Sequence, residues 1–317
     1  MWGVLLLSMA ACVDGPAAGS GPSMVERLDQ LAETVDPMRN RFANSAMVSA
    51  MEALPPRQTE REALLFRLAL AEQRLYAGRL DEAIRDLESL RSDLVAYQQT
   101  ASPADQAPPT FEYSILDFLA IAYFRSGERK NCIDGVGPVA CLVPVPSEGI
   151  SADVEGAVLA ARVYGELLEL DPTSIGVRWM LNLSHMMVGT YPAEVPVAWR
   201  IPPEVFDSEY QIGRFQEVAG VLGVNEVGHV GGAVMDDFDG DGLLDLMATS
   251  WQLRDPIRFH RNRGDGTFEH RTGSAGLEGL WGGGNLVQAD YDNDGALDVF
   301  VMRGGWLADG QPNSLLK

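Results

Sequence analysis

Two patterns of hydrophobic positions divide the chain. Between residues 59 and 190, apolar residues recur every three or four positions, which predicts helices with one buried face. Thr59 and Glu62 form a capping-box pattern at the start of one helix, and Gly78 ends it. A second helix follows at once, and its apolar face is formed by Leu80, Ala83, Ile84, Leu87, Leu90 and Leu94. After residue 231, short apolar runs bounded by glycine predict strands.

The helical pattern recurs along the chain. Small residues let antiparallel helices approach closely, and a glycine turns the chain between them. Further copies contain Leu119, Ala120, Tyr123, Phe124 and Gly127, then Ala160, Tyr164, Leu167 and Pro172, then Leu181, Gly189 and Tyr191. This spacing resembles tetratricopeptide repeats, which implies a short solenoid over residues 24–190. Its role is either a concave peptide-binding groove or a spacer, and the proline-rich segment 191–210 is predicted as a linker.

Two acidic windows in the strand-rich part share the pattern D-x-D-x-D-G-x-x-D. Plain Asp-Gly turns are one explanation, because aspartate caps its own backbone. Two windows in register, each between strands, favour two Ca²⁺ sites, since Ca²⁺ takes about six to eight oxygen ligands in flexible geometry. Mg²⁺ and Mn²⁺ suit the pattern less well because they demand stricter octahedral geometry. The predicted ligands are Asp237, Asp239, Asp241 and Asp245 for one ion, and Asp290, Asp292, Asp294 and Asp298 for the other.

The net charge of the chain limits which binding partners are expected. The chain has 24 Lys and Arg against 45 Asp and Glu, a formal net charge of −21. Nucleic acid and anionic lipid surfaces need a basic footprint, so neither is the expected partner.

The N-terminal segment and the cysteines are consistent with export. MWGVLLLSMAAC resembles the end of a bacterial lipoprotein signal, which implies a lipid on Cys12 and a tether over residues 13–23. An ordinary hydrophobic N-terminus is the alternative. Cys132 and Cys141 would close a short loop as a disulfide in an oxidising compartment, or they are two free buried thiols. We therefore expect a periplasmic, outer-membrane-anchored or extracellular protein whose membrane contact is at most a lipid anchor.

Catalytic motifs are missing from the sequence. The four histidines lack paired ligand spacing, and neither a nucleophile elbow nor a phosphate-binding glycine loop occurs. We expect no catalytic residues and no enzymatic activity. The alternative is an accessory part of an extracellular polymer-degrading enzyme whose catalytic domain lies outside these residues.

The order of these features resembles one protein group. The acidic windows with the intervening N-R-G-D-G-T-F hairpin look like FG-GAP (VCBS-type) repeats. Together with the lipoprotein-like start and the helical repeats, they resemble exported bacterial proteins of the cartilage acidic protein-like (ASPIC/UnbV) group. The resemblance implies a non-enzymatic interaction protein whose Ca²⁺ loops lie in an integrin-α-like β-propeller, and whose partner is an extracellular or surface protein or glycan.

The predicted fold class is accordingly α + β and multidomain, a tetratricopeptide-like solenoid followed by an incomplete propeller. The predicted segments are 1–12 (signal), 13–23 (tether), 24–190 (helical domain), 191–210 (linker) and 211–317 (propeller blades). Propellers close with about four to eight blades, so we expect the sequence to be a fragment that ends within a blade.

Overall fold

The computed structural model describes residues 21–40, 43–103, 105–133, 142–207, 209–210, 215–226, 228, 231–304 and 310–317. The described residues form two compact units, one within residues 36–220 and the other within residues 21–35 and 221–317. Cys12 and Cys141 lie outside the described residues, as does the side chain of Cys132. The lipidation and the disulfide therefore stay predictions.

The unit of residues 36–220 is helical. Its helices are α2 (Asn44–Glu52), α3 (Glu60–Tyr76), α4 (Leu80–Thr100), α5 (Pro109–Glu128), α6 (Glu155–Leu170) and α7 (Ile175–Val188), and one π-turn continues α5 over Arg129–Ile133. The capping box of α3 is confirmed, because Thr59 Oγ1 accepts from Glu62 N and a Glu62 carboxylate oxygen accepts from Thr59 N. Gly78 takes the left-handed conformation that the predicted turn needs (φ 76°).

Consecutive helices of this unit pack through the faces that the periodicity predicted. Leu87, Leu90 and Leu94 of α4 are buried, as are Leu119 of α5 and Tyr164 of α6. Helices α5 and α6 meet almost backbone to backbone. A Cβ on Gly156 would lie 2.6 Å from Tyr123 O, so this contact requires glycine.

The segment predicted as a linker is packed onto α7 in its first half. Val195 is buried, and Arg178 and Asn182 of α7 hydrogen-bond to the backbone of residues 199–201. One 3₁₀ turn follows at Pro203–Phe206, and the short helix α8 spans Ala219–Leu222. Residues 199–201 are therefore held by side chains of α7 rather than by helical hydrogen bonds of their own.

The second unit contains two antiparallel sheets. The first has the order β1 (Ala233–Asp236), β2 (Asp245–Ala248), β3 (Arg258–Asn262) and β4 (Phe268–His270). The second has the order β5 (Asn285–Ala289), β6 (Asp298–Met302) and β7 (Ser314–Leu316). The predicted strands on both sides of each acidic window are confirmed, and so is the hairpin formed by β3 and β4.

A helix from the start of the chain completes this unit. Helix α1 (Met24–Thr34) begins with a capping box between Ser23 and Glu26 and places Leu28 in one core with Met247 and Leu286 of the sheets. The indole Nε1 of Trp281 donates to the Asp29 carboxylate of α1 at 2.7 Å. Sequence periodicity grouped residues 24–190 in one domain, whereas α1 packs with the sheets. The domain boundaries themselves stay a prediction.

Candidate metal centre

Each predicted window forms the connection between two paired strands. The first acidic loop (residues 237–245) connects β1 to β2, and the second acidic loop (residues 290–298) connects β5 to β6. Glycine permits the turn in both loops, since Gly242 and Gly295 have φ values of 87° and 91°. The loops begin and end at the same position of their hairpins, so the sequence repeat is also a structural repeat.

Three carboxylates converge at the tip of each loop. Ligand atoms of Asp237, Asp239 and Asp241 lie within 4.8 Å of one another. The same separation holds in the second loop for Asp290, Asp292 and Asp294. Three of the four aspartates predicted for each ion therefore lie together.

Backbone amides fix the carboxylates of the first loop. Asp237 accepts from Asp241 N at 3.0 Å and from Gly242 N at 2.8 Å. The Oδ1 atom of Asp241 accepts from Leu243 N at 2.9 Å. These bonds hold the carboxylates close together despite their like charge.

The second loop repeats this network atom for atom. Asp290 accepts from Asp294 N and from Gly295 N, both at 3.0 Å. Asp294 Oδ1 accepts from Ala296 N at 2.9 Å. Equivalent bonds in two loops show that the D-x-D-x-D-G spacing itself determines the loop conformation.

The fourth aspartate of each window lies apart from these groups. Asp245 is fully buried, and its carboxylate accepts from Asn262 N at 2.8 Å and from Phe238 N at 3.3 Å. Asp298 is also buried and accepts from Tyr291 N at 3.1 Å. Burial raises the pKa of Asp245. In the structure these two residues anchor the loop backbone.

A basic side chain reaches each loop, Arg261 from strand β3 and Lys317 from the position directly after β7. The Arg261 guanidinium binds the carboxylates of Asp239 and Asp241, and Lys317 Nζ binds that of Asp292. These contacts hold the pKa values of Asp239 and Asp292 below their ordinary range. Neither residue is among the predicted ligands or contacts of the windows.

The position of Arg261 and Lys317 is the same in the two sheets. Arg261 follows His260, the partner of Leu246, and Lys317 follows Leu316, the partner of Val299. Leu246 and Val299 each follow the last aspartate of a window. This equivalence appears only once the strands are paired, because the two residues lie at different distances along the chain from their windows.

The donor set fits a hard divalent cation. Each group offers carboxylate oxygens alone, which are the ligands Ca²⁺ prefers, and its residues are partly or fully exposed, so an ion has access. An ion there would have to replace the bonds that Arg261 or Lys317 makes. The clustered aspartates are therefore suited to binding a metal ion.

Comparison with known families agrees with this geometry. The FG-GAP-like repeat family matches residues 237–301, a span that begins at the first residue of the first acidic loop and contains both loops. Comparison with curated proteins and with solved structures returned no match. An FG-GAP-like repeat is typical of interaction or scaffold domains.

Proposed function

We propose that the protein is a non-enzymatic, exported interaction protein whose β-sheet unit is stabilised by Ca²⁺. The observation that carries the proposal is the repeated acidic loop, with three carboxylates within 4.8 Å in each copy. One ion binds Asp237, Asp239 and Asp241, and a second binds Asp290, Asp292 and Asp294. Asp245 and Asp298 hold the loop backbone around the ion.

Calcium has a structural task in this proposal. Three clustered carboxylates repel one another, and a divalent ion cancels that repulsion more effectively than one guanidinium or ammonium group. Each ion also fixes the connection between two strands of one sheet. An ion that binds only the folded state raises the free energy of unfolding by about 2.7 kcal/mol when free Ca²⁺ is 100-fold above its dissociation constant.

The two sheets are the first blades of an integrin-α-like β-propeller in this proposal, and the helical hairpins are a tetratricopeptide-like solenoid. The matched FG-GAP-like repeat and the equal construction of the two loops support the first part. The close contact of α5 and α6 at Gly156 supports the second. In this proposal each unit offers its own binding surface to a partner protein or glycan.

Export is proposed because FG-GAP repeats are typical of extracellular proteins and because Ca²⁺ is abundant outside the cell. In the part of the chain that the structure describes, every helix is too short or too polar to span a bilayer. Lipidation of Cys12 would then supply the membrane contact.

The test is thermal unfolding of the chain in Ca²⁺ and in a chelator, with Mg²⁺ as the control ion. We expect Ca²⁺ to raise the midpoint of the transition that belongs to the sheet unit, and Mg²⁺ to have a much smaller effect on it. A double variant, Asp239→Asn with Asp292→Asn, should reduce the Ca²⁺-dependent shift. The same midpoint in Ca²⁺ and in chelator would contradict structural calcium.

A further inference from the structure

A trough in the helical unit is separate from the acidic loops. It encloses about 510 Å³ between α6, α7 and the segment 190–199. This volume is in the range of sites that bind drug-sized ligands or a few peptide residues, about 300–1,000 Å³. The lining residues that matter here are Val158, Gly165, Glu169, Leu181, Glu194 and Trp199.

One wall of the trough is fixed before any ligand binds. The Nδ2 group of Asn182, which is fully buried, donates to Trp199 O at 2.9 Å, and its Oδ1 accepts from Ile201 N at 2.9 Å. Arg178 also donates to Trp199 O, at 3.1 Å. These bonds fix the backbone of Trp199, and its side chain packs against the core of the helical unit, so the ring has little freedom to lose on binding.

Gly165 gives the trough its depth. It lies within α6, where glycine is a weak helix former. A Cβ built on it would meet no atom within 4 Å, so packing inside the unit does not require glycine there. This contrasts with Gly156 of the same helix, whose Cβ would clash with α5. Val158 lies two helical turns before Gly165, also lines the trough and is 47% exposed.

The ionisable groups of the trough favour a cation. Glu166 is paired with Arg91, Nη2 to Oε2 at 2.5 Å. The remaining charged side chains of the lining are the two carboxylates of Glu169 and Glu194 and the guanidinium of Arg162, so negative charge is in excess. Basic ligands are therefore attracted, and acidic ligands are repelled.

The trough histidine adds no positive charge near neutral pH. Burial lowers the pKa of His185, and its Nδ1 atom is hydrogen-bonded to Thr190 Oγ1 at 2.8 Å. Trp199 supplies an aromatic surface on which an aliphatic stem or a cation can lie.

We propose that this trough binds an extended peptide segment of a partner in which a Lys or Arg stands next to an aliphatic residue. The aliphatic side chain lies over Gly165, and the cationic group lies beside Glu169 and Glu194. The site belongs to the helical unit and does not depend on calcium in the acidic loops.

The experiment uses three fluorescein-labelled octapeptides and the full chain, with binding read by fluorescence anisotropy. The peptides alternate Leu with Lys, Leu with Glu, and Ser with Lys. We expect the Leu/Lys peptide to bind at least about tenfold more tightly than either of the others. Raising the salt concentration should weaken that binding, because part of it is ionic.

Two glycine variants test the location. Gly165→Leu fills the trough and should weaken binding of the Leu/Lys peptide at least about tenfold, with the midpoint of thermal unfolding preserved or raised. Gly176→Leu is the matched control, because Gly176 is a helical glycine with open space around it, on α7 and outside the lining. It should leave binding unchanged.

Three results would overturn the proposal: no binding of the Leu/Lys peptide, equal binding of the Ser/Lys peptide, or equal weakening by the two glycine variants. Glu169→Gln with Glu194→Gln is a further variant on exposed positions that should keep the fold. It should reduce the preference for Leu/Lys over Leu/Glu, and an unchanged preference would also overturn the proposal.

Discussion

Replacing the buried Asp245 with alanine tests the role of the fourth aspartate. Its carboxylate is the acceptor for two backbone amides, Asn262 N at 2.8 Å and Phe238 N at 3.3 Å. Losing a buried partner costs about 1–3 kcal/mol for the shorter bond and less for the longer one. The substitution also removes the desolvation penalty of the buried carboxylate, which offsets part of this loss of stability. We therefore expect Asp245→Ala to destabilise the sheet unit by about 2 kcal/mol in metal-free buffer.

The assay is amide hydrogen exchange in the presence of a chelator. The chain has two compact units, so a global unfolding curve mixes two transitions, whereas exchange reports on each amide separately. A loss of 2 kcal/mol corresponds to about 30-fold faster exchange of the Asn262 amide. Asp239→Ala is the control, because this exposed carboxylate lies at the loop tip, and exchange at Asn262 should stay close to the wild-type rate. Wild-type exchange in Asp245→Ala would refute the anchoring role.

Three further predictions each concern a single residue. Arg261→Gln should raise the Ca²⁺ affinity of the first acidic loop, because the guanidinium competes for its carboxylates; calorimetry measures this, with Arg263→Gln as the control. Burial lowers the pKa of His260 below 6.5, so the unfolded chain takes up the proton first. Stability of the sheet unit should therefore fall as pH drops below 6.5, and His260→Gln should flatten that dependence in denaturant titrations; an unchanged slope would count against it. Gly156→Ala should destabilise the helical unit by about 1–3 kcal/mol in thermal unfolding, whereas Gly176→Ala should not, and equal effects would contradict the close helix contact.

Much of the fold follows from local patterns in the sequence. The capping box at Thr59, the turn at Gly78 and the strands around each acidic loop depend on neighbouring residues, so periodicity and turn chemistry predict them. Helix α1 is different, because its place beside the sheets depends on contacts such as Asp29 with Trp281, more than 200 residues apart. Spacing within one segment carries no information about such a partner.

In the candidate site, too, local spacing predicts some features, and others depend on contacts with distant residues. Three aspartates of each loop converge because alternate residues around a glycine turn point to one side, which the sequence predicts. The spacing cannot tell whether the fourth carboxylate turns to an ion or to backbone amides, and in the structure Asp245 binds amides. Arg261 and Lys317 could not be assigned from spacing, because they reach the loops through strand pairing.

Calcium titration of the full chain by isothermal calorimetry tests the central claim most directly. We expect two Ca²⁺ ions to bind per chain. Asp237→Asn with Asp241→Asn should remove one of them, and Asp290→Asn with Asp294→Asn should remove the other. Titration heats that show no binding at millimolar Ca²⁺, or a stoichiometry that neither double variant changes, would contradict it.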